Sequence, residues 1–448
     1  MCVDLKVELV HLKTNGGWCW FHSPRVIVVE DWVLFGTVAG TDRGASRAGD
    51  VELTAYHPAE RRAQTAILWH HGRPDDHNVA AVLRLSDGTI IVSYQAHGEE
   101  TSEGGLIRWR KVTGLTALMV AAESQWSAGA PVTYSNLFQL SAEDDRIYAF
   151  HRGVGSNPNY TLSDDNGQSF RYGGRLLRWP RPMRGDPRFT GRDGARPYVT
   201  YCSTGIDAVH FIASEDHPRA YDNSLYHGVF RNSIVYSTDG RALGAATGPE
   251  GGVSPIDLTK LYVGSAKAIA WPIELRLDPI HGPVALFSTR NNDRWTRRFQ
   301  GFGRDHRYMI GRFDGDNWKV REICYAGSRL YAGEEDYTGL ASLDPSNTRI
   351  VVISSNVEPS TGRRLRSQSD GRRHWELFVG IFDEAMQKIR WIALTENSVA
   401  DNIRPVIVSI GDHHSLVVWM RGSYSSYTDF DTDIVGTVYD RRALGAGV

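Results

Sequence analysis

Short strand-like runs dominate this chain and constrain its fold more than any other feature. Each run alternates apolar and polar residues or is rich in β-branched and aromatic ones, and each ends at Gly, Asp, Asn, Pro or Ser. Examples are RVIVVEDWVLFG, TIIVSYQAH, RIYAFHRG, NSIVYSTDG and SLVVWMRG. Long amphipathic stretches are almost absent, and GLTALMVAAESQW at 114–126 is the best helix candidate. The pattern predicts an all-β chain.

Tight turns join these runs into hairpins. Turn sequences recur at strand ends, as in SDG at 86–88, STDG at 237–240 and SDG at 369–371. Repeated hairpins, with 45 Gly and 13 Trp, favour radial repetition of small antiparallel sheets. Seven blades would average about 64 of the 448 residues, although counting alone leaves six or eight open. An array of β-sandwiches is the alternative, but no low-complexity linker divides the chain. We expect one β-propeller domain over 1–448.

The charge balance excludes several classes of partner. The chain has 50 Lys and Arg against 52 Asp and Glu, for a net charge of −2. Nucleic acid and basic membrane surfaces are therefore not expected as partners. No apolar run is long enough to span a bilayer. Asp4, Lys6 and Glu8 interrupt any apolar signal region, so we expect a cytoplasmic protein, or a secreted one if a leader precedes this sequence.

The four cysteines predict neither a thiolate metal site nor a redox motif. Cys2, Cys19, Cys202 and Cys324 lie far apart, and no CxxC pair exists. We expect them to be reduced and mostly buried.

Two histidines bracket one predicted hairpin. His77 precedes AAVLRLSDGTIIVSYQ and His97 follows it, with the turn at 86–88. Because an antiparallel hairpin returns to its starting end, we expect the two imidazoles side by side at one rim. The alternative is a chance pair of surface histidines.

A second hairpin repeats this logic. Tyr134 precedes it and Arg152 ends it, so the two side chains are expected at a shared rim. Two His, one Tyr and one Arg on neighbouring blades would combine an anion clamp with acid and base groups. Asn78 and Asn136, close to members of this set, are expected to bind substrate. The alternative to a functional role is that Tyr134 is a strand residue packed in the core and Arg152 is a solvated surface charge.

Metal-ligating residue types also cluster further along the chain. His210 and His227 lie in a segment rich in His and Asp, which suits zinc or another transition metal. A hydrogen-bonded polar strand pair explains them equally well. The acidic run GEEDY at 333–337 is open to calcium or to solvent exposure. No cofactor is expected for the chemistry, and a structural zinc or calcium ion is left open.

One turn has a structural signature. The residues Ser163, Asp165, Gly167 and Phe170 resemble the Asp-box turn of sialidase-type propellers. There the Ser and Asp bond to the hairpin backbone and the aromatic residue packs beneath it, so no catalytic role is expected.

A run of motifs in order resembles the BNR-4 repeat proteins. It includes DDHNVAAVLRLSDGTIIVSYQAHG, VTYSNLFQLSAEDDRIYAFHRG, NPNYTLSDDNGQSF, RPYVTYCSTGIDAVHFIASEDHPR and LYHGVFRNSIVYSTDG, and extends over most of residues 70–440. That group contains seven-bladed polysaccharide lyases, including ulvan lyase and L-rhamnose-α-1,4-D-glucuronate lyase. A few relatives have been assigned rhamnosidase activity. The resemblance implies a single seven-bladed β-propeller of four-stranded antiparallel blades.

The resemblance also implies site residues. The family's catalytic His pair, Tyr and Arg match His77, His97, Tyr134 and Arg152. Some ulvan lyases hold a structural zinc through Cys and His near the segment equivalent to 210–227. Here only His210 and His227 are suitable, with Cys202 the nearest thiol.

The implied reaction is β-elimination at a rhamnosyl-(1→4)-glucuronate linkage in a poly- or oligosaccharide. Arg152 would neutralise the uronate carboxylate. His97 or Tyr134 would take the C5 proton, and Tyr134 or the other His would protonate the leaving oxygen. A glycoside hydrolase of the rhamnosidase or sialidase kind, which needs two carboxylates, is one alternative. A carbohydrate-binding propeller without activity is the other.

Overall fold

The computed structural model describes residues 8–41, 47–98, 105–178, 196–291 and 303–445. They divide into two compact units. The amino-terminal unit is Trp18–Ser265, and the carboxy-terminal unit combines Met1–Gly17 with Ala266–Val448. No helix in the described part has the length and apolar character needed to cross a bilayer. The assignment of 1–448 to one domain stays a prediction.

The described residues confirm the predicted fold class, an all-β seven-bladed propeller. Their strands form seven antiparallel sheets, and each sheet contains at least four strands that are hydrogen-bonded side by side. Four of these sheets belong to the amino-terminal unit and three to the carboxy-terminal unit. The runs rich in β-branched and aromatic residues explain the blades, since these residues fill both faces of strands that are buried on each side.

The amino-terminal unit contains four blades. The first strand of the chain, β1 (Val10–Lys13), belongs to the other unit. The strands of the amino-terminal unit, by blade, are β2 (Val26–Val29), β3 (Trp32–Val38), β4 (Val51–His57) and β5 (Arg62–Trp69); β6 (Ala81–Arg84), β7 (Ile90–Tyr94), β8 (Leu106–Gly114), β9 (Met119–Val120) and β10 (Ser124–Ser127); β11 (Thr133–Leu140), β12 (Arg146–Arg152), β13 (Pro158–Ser163) and β14 (Arg171–Arg175); β15 (Val199–Ser203), β16 (Val209–Ser214), β17 (Leu225–Arg231), β18 (Ile234–Tyr236), β19 (Ala242–Ala245) and β20 (Thr259–Tyr262).

The carboxy-terminal unit contains three blades. Its strands are β21 (Ala268–Asp278), β22 (Gly282–Asn291), β23 (His306–Phe313) and β24 (Trp318–Gly327); β25 (Ala341–Leu343), β26 (Ile350–Ser355), β27 (Glu376–Phe382) and β28 (Ile389–Ala393); β29 (Asp401–Ile410), β30 (His414–Ser426) and β31 (Asp429–Asp440). The last blade takes its fourth strand from the other end of the chain, because β1 pairs antiparallel with β31. Strand pairing therefore joins the two ends of the described chain.

The helix predicted at 114–126 is wrong. Strand β8 runs to Gly114, and the chain then turns back so that β9 and β10 both pair with β8. One edge of β8 is already paired with β7, and the returning chain covers the other edge. The hydrogen bonds that β9 and β10 make with the backbone N–H and C=O groups on this edge of β8 outweigh the local helical preference of Leu, Ala and Met. The only helical elements in the described ranges are short 3₁₀ turns at Asp76–Asn78, Ser141–Glu143, Val154–Ser156 and Pro255–Asp257.

The Asp-box turn has the structure that the sequence predicts. The Ser163 hydroxyl donates to Asp165 Oδ1 at 2.7 Å and accepts the Gly167 amide at 2.9 Å. Beneath the turn, Phe170 packs edge-to-face on Trp109 with ring centroids 4.9 Å apart. The turn closes the β13–β14 hairpin and takes no part in the site described below.

We predict that Ser163→Ala lowers the free energy of unfolding by about 2 kcal/mol, because the buried Gly167 amide loses its acceptor. Ser169→Ala is the matched control, since Ser169 is exposed and its hydroxyl only donates to Asp165 Oδ2 at 2.6 Å. That control is expected to change stability by less than about 0.5 kcal/mol. Urea unfolding followed by tryptophan fluorescence measures both. Equal effects of the two substitutions would contradict the buried-acceptor argument.

Candidate active site

The β6–β7 hairpin brings His77 and His97 together. In this hairpin Ala81 faces Ser93 and Arg84 faces Ile90, and continuing that register away from the turn sets His77 opposite His97. The two imidazole rings stack, with centroids 4.3 Å apart and planes 18° from parallel. His77 is buried, whereas a quarter of the His97 side chain is exposed.

A single carboxylate holds both rings. Asp75 Oδ1 lies 2.9 Å from His77 Nδ1, and Asp75 Oδ2 lies 2.9 Å from His97 Nδ1. Asp75 also caps the 3₁₀ turn Asp76–Asn78 by accepting the His77 amide at 3.0 Å. Because Nδ1 of His97 donates to this carboxylate, its Nε2 carries a lone pair. In the sequence Asp75 stands two residues before His77, and its bridging role follows from the structure.

The two predicted substrate-binding asparagines are buried and hold backbone in place. Asn78 Oδ1 accepts the His97 amide at 2.7 Å, and its Nδ2 lies 3.4 Å from His71 Nδ1. Asn136 Nδ2 donates to the Phe21 carbonyl at 3.2 Å and to the Phe150 carbonyl at 3.4 Å. Neither exposes more than 3% of its surface, and both position backbone groups; their contact with substrate stays a prediction.

The floor of the site comes from a segment that sequence reasoning did not single out. Trp18, Cys19, Trp20, Phe21 and His22 are each at most 3% exposed. The Cys19 amide donates to the Asp76 carbonyl, and the His22 ring accepts the Ser135 amide at 3.0 Å. The run WCWFH was the available signal, because so many aromatic residues outside a strand pattern indicate a buried loop.

A β-bulge presents Tyr134 to this floor. The pairing of β11 with β12 shifts between Thr133 and Asn136, and Tyr134 takes a left-handed backbone with φ of 69°. The Gln95 side-chain amide donates to the Tyr134 carbonyl and holds this conformation. The Tyr134 ring lies 5.5 Å from that of His77. A bulky residue with positive φ is costly and is typical of functional sites.

Arg152 completes the set predicted from the two hairpins. It pairs with Thr133 across the β11–β12 ladder, and its guanidinium carbon stands 4.9 Å above the Tyr134 ring. The same guanidinium lies 5.2 Å from the ring of Tyr198, a residue that sequence reasoning missed. Arg152 thus lies over two neighbouring tyrosine rings, beside the His pair. Tyr198 precedes β15 in RPYVTYCS, where only the third dimension reveals its neighbours.

The two histidines have opposite electrostatic environments. Burial disfavours the His77 imidazolium, but Cys19, Asp75 and Asp76 outweigh it and raise the pKa of His77 well above its usual value. Burial and the neighbouring charge of His77 lower the pKa of His97 below 6.5, against the opposing effect of Asp75. At neutral pH the pair therefore combines a cationic His77 with a neutral His97.

Burial also fixes the protonation of Tyr134. Its pKa is raised well above 10 by burial, although the positive charge of Arg152 acts in the opposite direction. The phenol therefore keeps its proton at neutral pH and is available as a donor.

The proposed metal ligands His210 and His227 lie apart from this set. Their rings are hydrogen-bonded through His210 Nδ1 and His227 Nε2 at 3.2 Å, and His227 Nδ1 lies 2.7 Å from the Thr238 hydroxyl. Cys202 is the cross-strand partner of His210, on the same face of the sheet. In the described ranges, however, neither histidine belongs to a group of three or more closely spaced ligand atoms. The residues present thus fit a four-ligand zinc site only in part, and the metal stays a prediction.

The acidic run at 333–337 is largely engaged in ion pairs. Asp336 Oδ2 lies 2.9 Å from Arg290 Nη1 with both side chains buried, and Glu335 pairs with Arg329 at 2.5 Å. Cys19, Cys202 and Cys324 form no disulfide, and Cys2 lies outside the described residues.

Comparisons with known proteins identify similar sequences and folds. The BNR_4 model, described as BNR repeat-containing family member, matches residues 43–325. No curated protein sequence matches the chain. A PL25 ulvan lyase solved with bound -[GlcA(1-4)Rha3S]- is similar over 97% of this chain and 96% of its own, with TM-score 0.67 and 14% identity. The polysaccharide lyase Uly1 is similar over 94% and 90%, with TM-score 0.54 and 12% identity. At these identities the likeness shows the fold.

We predict that Asp75→Asn lowers the pKa of both His77 and His97, because the carboxylate favours the charged form of each ring. NMR titration of protein labelled with ¹⁵N in its histidine rings measures the change. Asp50→Asn is the matched control, since Asp50 bonds to the exposed His70 at 3.1 Å in the same unit. Unchanged titration of both rings in Asp75→Asn would contradict the bridging role.

Proposed function

Because this chain belongs to the BNR repeat-containing family, we propose that it is a polysaccharide lyase that cleaves the bond to a uronate by β-elimination. The fold it shares with solved ulvan lyases supports this proposal at the level of architecture. The observation that carries it is the His77–Asp75–His97 bridge beside Tyr134 and Arg152.

The position of the carboxylates favours elimination over hydrolysis. A glycoside hydrolase ordinarily needs two carboxyl groups that flank the scissile bond and face the sugar. In this site Asp75 and Asp76 both lie within 2.9 Å of His77 Nδ1, and Asp76 is fully buried. Both acids are thus engaged with the imidazoles, and among the described residues named above the groups left to face a substrate are imidazole, phenol and guanidinium.

Arg152 binds the uronate carboxylate. Removing the C5 proton places negative charge on that carboxylate, so a guanidinium there stabilises the intermediate most where charge develops. The guanidinium lies over the neighbouring rings of Tyr134 and Tyr198, and these cation–π contacts limit its movement.

His97 is the base and Tyr134 the acid in this proposal. Neutral His97 takes the C5 proton on Nε2, while its Nδ1 proton stays hydrogen-bonded to Asp75. The bond between C4 and its glycosidic oxygen then breaks, and the Tyr134 phenol gives its proton to that oxygen. His77, cationic and stacked on His97, keeps Asp75 in place. Afterwards the His97 proton leaves and Tyr134 is reprotonated, which returns both groups to their starting state.

The products follow from which bond breaks. The uronate becomes a C4–C5 unsaturated sugar, and the oxygen stays with the other sugar, which becomes a new reducing end. We propose a rhamnosyl-(1→4)-glucuronate linkage as the target. The sequence resemblance supports this choice, and the -[GlcA(1-4)Rha3S]- bound to the solved PL25 ulvan lyase contains the same two kinds of sugar.

We predict that the purified chain raises ultraviolet absorbance on a glycan with rhamnosyl-(1→4)-glucuronate linkages, because the unsaturated uronate is conjugated. His97→Gln and Tyr134→Phe are each expected to lower kcat by about 10²–10⁴-fold, as for loss of a general base or acid. His70→Gln and Tyr172→Phe are the matched controls, with residues of the same types elsewhere in this unit. New reducing ends without absorbance would identify a hydrolase and contradict the proposal.

We also predict the pH dependence of the reaction. The acid limb of kcat/KM lies below pH 6.5, since the pKa of His97 is lowered and the base works only when neutral. His77→Gln moves this limb to higher pH, because the charge of His77 is one cause of that lowering. Initial rates in the presence of a chelator, measured from pH 4.5 to about 8, test both statements. A limb at or above pH 6.5 in the unsubstituted protein would argue against His97 as the base.

A further inference from the structure

Positive charge is concentrated on one loop of the carboxy-terminal unit. This arginine loop, residues 356–375, connects β26 to β27. It contains only two acids, Glu358 and Asp370. Its arginines are all exposed, and they are Arg363, Arg364, Arg366, Arg372 and Arg373. Because the whole chain has a net charge of −2, this local excess does not follow from the composition.

Nearby carboxylates do not neutralise the arginine loop. In the described part of the chain, none of its five guanidiniums forms an ion pair. Asp370 accepts the Arg372 amide and bonds to the His374 ring, each at 2.8 Å. Glu358 accepts the Thr361 amide at 2.7 Å. Both acids therefore stabilise turns of the loop, and the guanidinium charges stay uncompensated.

Backbone hydrogen bonds fix the shape of the loop. The Glu358 amide donates to the Arg363 carbonyl, and the Ser367 amide donates to the Arg372 carbonyl, both at 2.8 Å. The arginines are thus carried by two closed turns. A ligand does not have to order the loop before it binds, which lowers the entropic cost of binding.

Three of the guanidiniums lie near one another. Arg366 Nη1 donates to the Gly371 carbonyl at 2.6 Å, and Arg373 Nη2 donates to the Asn356 carbonyl at 3.2 Å. Each guanidinium has further N–H donors besides the one used in this way. Partial burial and the neighbouring charges of Arg364 and Arg366 lower the pKa of Arg373. Like charges placed together in this way repel one another, and a bound polyanion would remove that repulsion.

The side chains around the arginines are those of an anion-binding surface without aromatic rings. Trp375 is the only Phe, Tyr or Trp on the loop, and it is 4% exposed. Single-stranded nucleic acid is ordinarily bound by stacking of its bases on exposed rings. The loop offers charge and hydrogen bonds but no ring for stacking, and this favours a different polyanion.

We propose that the arginine loop binds a stretch of a uronate-containing polysaccharide through the carboxylates of successive sugars. A guanidinium can bind a carboxylate through two parallel hydrogen bonds. Exposed ion pairs are individually weak, so binding needs several uronates on one chain. The choice of a uronate polymer rests on the proposed function. The surface itself is separate from the candidate active site, because the residues of that site all belong to the other unit.

Calorimetric titration of the full chain with polyglucuronate at low ionic strength tests the proposal. Every protein carries His97→Gln, so that the polymer is not cleaved during the measurement. The triple variant Arg363→Gln/Arg364→Gln/Arg372→Gln is expected to bind about tenfold more weakly, because three of the charge contacts are lost. These three side chains make no hydrogen bond within the described residues, so the fold should be unaffected. The matched control removes the same charge from exposed positions of the other unit, and it is Arg84→Gln/Arg178→Gln/Arg241→Gln.

Salt and competing polymers give the remaining outcomes. The difference between the triple variant and the control is expected to disappear near about 1 M salt, where surface charges are screened. Neutral dextran is expected not to bind. Equal affinity of the triple variant and the control for polyglucuronate would overturn the proposal, as would tighter binding of duplex DNA than of polyglucuronate.

This measurement is independent of turnover. A chain that proves to have no lyase activity can still bind polyglucuronate through these arginines, and the proposed surface would then stand without the proposed reaction. A chain that eliminates uronates but binds the polymer equally well without the three arginines would keep the reaction and lose the surface. The two proposals therefore fail separately.

Discussion

The candidate active site depends on one interaction, the bridge of the Asp75 carboxylate between two histidine rings. Each carboxylate oxygen lies 2.9 Å from a different Nδ1, so a single side chain sets the orientation of both imidazoles. Asp75 is itself fixed as the cap of a short 3₁₀ turn. The turn comes just before the β6–β7 hairpin, and the hydrogen-bonded blade therefore holds the turn and Asp75 in a fixed position.

The same bridge separates the roles of two chemically identical side chains. His77 is buried among acids and a thiol, which favour its charged form. A quarter of the His97 side chain is exposed, and the neighbouring charge of His77 disfavours the charged form of His97. Neighbouring titratable groups whose environments move their pKa values apart are the pattern expected of acid and base pairs. The geometry gives a reason for having two histidines where a single base would suffice for the proton transfer itself.

Hairpin logic predicted the central part of this site because antiparallel pairing is strict. Residues equally far from a turn come together, and this brought His77 to His97 and Tyr134 to Arg152. The logic fails for partners from separate segments. Tyr198 and the floor residues Cys19 and His22 reach the site through tertiary packing, which local pattern does not encode. Asn78 and Asn136 lie in the predicted region, but the sequence does not reveal that they are buried, and their contact with substrate stays a prediction.

The chemistry of the site follows from where its acids lie. A propeller blade offers a sugar the same kind of surface whether the enzyme hydrolyses or eliminates, so the fold alone does not select the reaction. Here Asp75 bonds to both imidazoles, and Asp76 is closed to solvent beside Cys19 and His77. Acids held in this way orient bases and carry charge for them, but they do not flank a glycosidic bond. Arg152, in contact with two phenol rings, offers the positive charge that an enolate-like intermediate would need and that an oxocarbenium-like transition state would not favour. The burial of the carboxylates and the placement of the guanidinium thus favour elimination for the same physical reason, the sign of the charge that each reaction develops.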